Sequence, residues 1–105
     1  MNFQDTLATL PPTDGLRGLD VLDASGAVLH HVPAAPGKMG SLRVYHALAQ
    51  AFGGELNAAA VQQGLAWFAE HTEDARQRPG AHPNIDLLLR RRPGDAPWRL
   101  VPLRA

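Results

Sequence analysis

Apolar positions along the chain follow two spacings, and the changes between them mark out the elements. Phe3, Leu7 and Leu10 recur at helical spacing, which predicts a short helix over residues 2–10, ended by Pro11-Pro12. The spacing then drops to two. Leu19 and Val21 share one face of a strand expected from Arg17 to Asp23, Ala24-Ser25-Gly26 supplies a turn, and a second strand returns from Ala27 to Val32. Alternation places His30 on the face of Val28 and Val32, and His31 on the face of Leu29. This hairpin is the clearest β signal in the chain.

Helical spacing resumes after a loop stiffened by Pro33 and Pro36. Ser41 suits the N-cap of a helix from Leu42 to about Phe52, with Leu42, Tyr45, Leu48, Ala49 and Phe52 inward and Arg43, His46 and Gln50 on the polar side. Gly53-Gly54 stops it. Asn57 is the expected N-cap of a third helix, with Leu56 and Val61 at the positions of a hydrophobic staple. That helix is expected to run unbroken to about Arg78, before Pro79-Gly80. Its inward stripe is Val61, Leu65, Phe68, Thr72 and Ala75, and a second stripe beside it holds Trp67, His71, Asp74 and Arg78. His82-Pro83-Asn84 opens a fourth, shorter helix over Leu87–Leu89, and Pro93-Gly94 breaks it. Residues 97–103 read as a last strand, and Pro102 marks that strand as a sheet edge. The whole is expected to be one α+β domain over residues 1–105. A small antiparallel sheet, the hairpin 17–32 plus the C-terminal strand 97–103, is covered by three to four helices.

Composition narrows the function classes. The 105 residues include no cysteine, which excludes disulfides, thiolate metal sites and cysteine nucleophiles. No apolar run reaches the length of a membrane span, and the start MNFQDTLATL lacks the basic region of a signal peptide, so a cytoplasmic protein is expected. Net charge is zero but unevenly placed. Residues 1–75 hold three basic against eight acidic residues, and residues 76–105 hold seven arginines against two acids. The simplest account is mutual neutralisation on folding; a dedicated nucleic-acid domain is basic overall, so nucleic acid is not the expected partner. Arg90, Arg91 and Arg92 fan out around a helix end instead of forming one patch.

The strings FQDTLATLPPTD, HHVPAAPGKMGSLRVYHALAQAFGG and AEHTEDARQRPGAHPNIDLLL together resemble a family of small bacterial proteins of unknown function. The resemblance runs from Phe3 to about Leu89. It implies a bacterial, stand-alone, single-domain protein and supplies no activity, ligand or catalytic residue.

The candidate chemistry lies in two places. The first is the loop Gly37-Lys38-Met39-Gly40-Ser41, where glycines, a lysine and a helix start aim donors at one region, with Arg43 and His46 within the same helix. Phosphate or carboxylate suits such a site. It is not a phosphate-binding Walker loop, because Val32 and Met39 stand where that motif needs glycine and serine or threonine. Helix capping alone also accounts for Gly40 and Ser41. The second place is the flank Trp67, His71, Asp74, where a carboxylate can orient an imidazole for acid–base work, or can simply pair with Arg78. No helix carries two histidines at ligand spacing among the five histidines, so no metal and no cofactor are expected. The leading expectation is a small binding or regulatory protein for an anionic small molecule or an acidic protein partner. The alternatives are an enzyme using His71 or His46 as general acid or base, and a protein–protein interaction module. A homodimer through the C-terminal strand is a further possibility.

Overall fold

A computed structural model describes residues 2–92 and 94–105. The hairpin forms as β1 (Leu16–Leu22) and β2 (Val28–Pro33), antiparallel, with Leu19 opposite Val32 and Asp20 opposite His31. Asp23 closes its turn, accepting hydrogen bonds from the Ser25 amide, the Ser25 hydroxyl and the Ala27 amide. The register shifts between Val21 and Leu22, so Val28 sits opposite Leu22. This corrects the shared face expected for Val28, His30 and Val32. Val32 is buried and His30 half-buried, whereas the shift turns Val28 outward, where it is 59% exposed.

β4 (Trp98–Arg104) pairs with β1, placing Leu100 opposite Val21. Its other side meets a two-residue strand, β3 (Glu55–Leu56), so the sheet order is β2-β1-β4-β3. The C-terminal strand is therefore interior, not an edge as Pro102 led us to expect. β3 escapes periodicity because two residues define no period. Proline is tolerated in β4 for a local reason. Leu100 sends its N–H to the Gly54 carbonyl, and Pro102 faces the same way two residues on, past the end of β3, where no donor is required.

Five helices are described, α1 (Phe3–Thr9), α2 (Met39–Ala51), α3 (Ala58–Trp67), α4 (Glu70–Gln77) and α5 (Pro83–Leu89). α2 lies against the sheet, with Leu42, Tyr45 and Leu48 fully buried along with Leu19, Val21 and Val32. Burial of these side chains, at about 25 cal/mol per Å² of apolar surface, is the main force joining helices to sheet.

The single helix expected over 57–78 is two. Asn57 caps α3 as expected, its side chain accepting from the Ala60 amide. The chain then breaks at Ala69, whose φ of 54° and ψ of −125° are not helical. A straight helix of that length would measure about 33 Å, close to the 35 Å longest dimension of the molecule, and would overrun the core. The break turns α4 back against α5. Thr72 secures it by donating its hydroxyl to the Leu65 carbonyl at 2.6 Å. The inward stripe survives the break: Val61, Phe68, Thr72 and Ala75 are all buried, and Leu65 is half-buried.

Candidate functional site

The loop after β2 shapes the start of α2. Pro36 and Gly37 turn the chain, Gly37 at a φ of 81° that favours glycine, and the Lys38 amide bonds the Ala35 carbonyl. α2 then begins at Met39, one turn earlier than the sequence pattern indicated. Lys38 occupies the N-cap position with no side-chain cap bond, so Ser41 lies inside the first turn and is not the cap. The Leu42 amide is already bonded to the Lys38 carbonyl. The amides of Met39, Gly40 and Ser41 find no protein acceptor among the described residues. They are the free donors of this terminus.

α1 crosses beside that terminus. Its own first amide, at Phe3, donates to a Glu70 carboxylate oxygen at 2.7 Å, and the Asn2 side chain caps the same turn by accepting from the Asp5 amide. The Phe3 ring stacks on Phe68 at 5.8 Å between centroids and takes the edge of the His71 imidazole at 4.8 Å. Gly40 permits this approach, since a Cβ there would stand 3.0 Å from Phe3 Cε2. The ring thereby ties α1 and α2 to α4.

Between these elements lies a cavity of about 420 Å³. Phe3, Gln4 and Leu7 of α1 form one wall and Gly37–Ser41 another; Phe68 and His71 face it, and Ala81–Ile85 at the start of α5 completes it. No acidic residue is among its lining residues. The sequence's two candidate regions thus meet: Gly37, Lys38, Gly40 and Ser41 share one space with His71. The Lys38 ammonium makes no ion pair among the described residues.

Other candidates lie elsewhere. Arg43 turns away from the cavity, donating to the carbonyls of Leu10 and Pro11, where it caps the end of α1. His46 was expected on the polar face; it is buried, 4% exposed, with the Pro12 carbonyl beside it. Among the described residues its Nδ1 has no hydrogen-bond partner, and burial, reinforced by the Arg104 charge, lowers its pKa against the opposing pull of the Pro12 carbonyl. Trp67 packs half-buried against the core and does not line the cavity.

Asp74 also stands outside the lining, but it reaches the cavity through a residue that helical spacing did not single out. His82 Nε2 lies 2.5 Å from Asp74 Oδ2, and Arg78 grips the same carboxylate through Nε and Nη2. The Arg78 guanidinium first, then His82, holds the Asp74 carboxyl well below the usual carboxylate range. The His82 ring is 5.6 Å from that of His71. Seven residues, Pro79-Gly80 among them, separate Asp74 from His82, so no single-helix pattern could pair them. Below the cavity, Asn84 accepts from His30 at 2.6 Å through its side chain and from the Tyr45 hydroxyl through its carbonyl. These bonds join β2 and α2 to α5.

Among the described residues no group of three or more histidine, aspartate and glutamate side chains is placed to hold a metal ion. No helix described is long and apolar enough to cross a membrane.

The fold and site define a one-sheet α+β protein with a small cavity on its helical side, lined by Lys38, His71 and His82 among others. The chain belongs to a family described as an uncharacterized protein conserved in bacteria (DUF2322), whose model matches residues 3–101. No curated protein and no solved structure matches it.

Proposed function

We propose that the protein binds a small anionic molecule in the cavity between α1, α2, α4 and α5. One observation carries this reading: Lys38, the three free amides of Met39–Ser41, the Ser41 hydroxyl and two imidazoles surround one space, with no carboxylate among its lining residues. Free amides and the partial positive charge of a helix start favour an anion, and the lysine adds a full charge. Phe3, Leu7, Met39 and Ile85 supply an apolar remainder, which suits a ligand with one charged head and a hydrocarbon or aromatic body. The volume is that of a small-molecule pocket, typically about 300–1,000 Å³. An acidic side chain from a protein partner presents the same head group but must thread it between α1 and α5. We place the protein in the bacterial cytoplasm, where small phosphorylated and carboxylated molecules are retained by their charge.

The test is a titration of the labelled protein with inorganic phosphate, phenyl phosphate and benzoate. The amides of Met39, Gly40 and Ser41 should move together, and Lys38→Ala should weaken the effect about tenfold, the loss of one charge-assisted hydrogen bond. Unmoved amides at millimolar concentrations of all three probes refute the reading.

A further inference from the structure

We propose that this cavity is a site of proton transfer as well as binding, with His82 as general base and acid and Asp74 as the residue that positions it. The inference rests on the binding reading above. The substrate class is a small carboxylate or phosphate carrying a hydroxyl or an acidic C–H on its apolar part.

The argument begins with the hydrogen bond at His82 Nε2. An ionised carboxylate only accepts, so the contact with Asp74 puts a proton on Nε2, and in the neutral ring the lone pair is then on Nδ1. Nδ1 has no protein partner among the described residues, and the ring lines the cavity while its side chain is only 26% exposed. A base with a defined tautomer, a free lone pair and partial shelter from water is what proton abstraction requires.

The other groups around the ring have separate occupations. Arg78 clamps both oxygens of Asp74, which stops that carboxylate from rotating. It also offsets much of the carboxylate's charge, so Asp74 acts on His82 chiefly through orientation and tautomer. Asp86, in the helix that His82 precedes, is taken up by the Gly80 amide, and Glu70 by the Phe3 amide. His71 lies beside His82 and makes no ion pair among the described residues. Lys38 lines the cavity with the α2 amides, where they are able to hold the negative head and the charge that develops next to it.

In the step itself, Nδ1 takes the proton of the ligand's O–H or C–H bond. The electron pair of that bond stays on the ligand as an alkoxide or enolate, and the imidazolium is held by Asp74. Return of the proton to a different atom completes an isomerisation and regenerates neutral His82, with no oxidant, reductant or second substrate.

The full chain tests this with nitrobenzisoxazole, a probe for a base in an apolar cavity. The base removes its ring C–H proton, that bond's electron pair completes a nitrile, and the N–O bond breaks to a coloured phenolate. Turnover by the wild-type protein should exceed that of equimolar free imidazole. His82→Ala should lower it about 100-fold, with partial rescue by added imidazole, which a purely structural role would not allow. Asp74→Asn should lower it severalfold. An imidazole nitrogen NMR spectrum of the wild-type protein needs no variant and should show His82 with its proton on Nε2. Turnover no faster than free imidazole, an unaffected His82→Ala variant, or a proton on Nδ1 each overturns the proposal. If phenyl phosphate still moves the Met39–Ser41 amides in that case, the binding reading stands without the proton-transfer one. If nothing moves them, the binding reading falls on its own evidence.

Discussion

His82 Nε2 lies 2.5 Å from Asp74 Oδ2, and that one contact joins two helices across the turn Pro79-Gly80-Ala81. Arg78 bonds the same carboxylate from within α4, so Asp74 is held from two sides. The carboxyl is kept below the usual range, first by Arg78 and then by His82.

This fixes the direction of an acid effect. A carboxyl whose folded pKa is depressed stabilises the fold fully above its unfolded value, about 3.9, and that stabilisation is lost as pH falls through the folded value. Asp74→Asn is therefore expected to lower the urea midpoint at neutral pH. The gap from wild type should shrink steadily once pH drops below about 4. A gap that stays constant down the acid limb would show that the carboxylate's charge contributes nothing.

His46 works in the same pH direction through a different charge state. Its pKa is lowered, mainly by burial, so below about 6.5 the unfolded chain takes up a proton that the folded chain resists. Stability from this group is complete above about 6.5 and falls with pH until the folded imidazole also protonates. His46→Gln should flatten the change in denaturation midpoint between neutral and mildly acid buffer. An identical slope in variant and wild type would contradict the assignment.

Tyr45 is the single tyrosine and is fully buried, its hydroxyl donating to the Asn84 carbonyl at 2.5 Å. Burial pushes the phenol far above its ordinary value, against a smaller opposing effect from Arg90. An acid with a raised folded pKa stabilises the fold fully below its unfolded value, about 10, and loses that stabilisation as pH rises beyond it. Phenolate absorbance should therefore appear together with the loss of helical circular dichroism in an alkaline titration. A phenolate signal that precedes unfolding would mean that Tyr45 is accessible in the native state.

Ala69 stands at φ 54° and ψ −125°, where a Cβ is strained. Such backbone costs about 1–3 kcal/mol in a non-glycine residue. Glycine relieves it at an entropic cost of about 0.5–1 kcal/mol. Ala69→Gly is expected to stabilise the protein by about 1 kcal/mol, read as a higher melting temperature. Ala69→Val should do the opposite, because a β-branched side chain is least tolerated there. A lower melting temperature for the glycine variant would refute the strain.

Local signals marked most of the elements. The hairpin follows from alternation around Leu19 and Val21 and from the Ala24-Ser25-Gly26 turn, and Asn57 announced the start of α3. The stripe Val61, Phe68, Thr72, Ala75 was assigned inward correctly, because helical phase is nearly preserved across the kink at Ala69. The kink itself carries no glycine or proline, so nothing local announced it. One wall of the candidate cavity was legible for the same kind of reason: Gly37 to Ser41 are contiguous, and a helix start is a local event.

Chain-local chemistry determined where most helices and strands lie and most of the inward faces, since spacing, capping and turn residues act over a few positions. Tertiary packing decided the rest. It made β4 an interior strand by adding the two-residue β3, buried His46 beside Pro12, and sent Arg43 to the end of α1. It also brought His71 and the His82–Asp74 pair to the mouth of α2. Those juxtapositions depend on how separate elements settle against one core, and no pattern along the chain encodes the distance between side chains that meet only after the chain has folded.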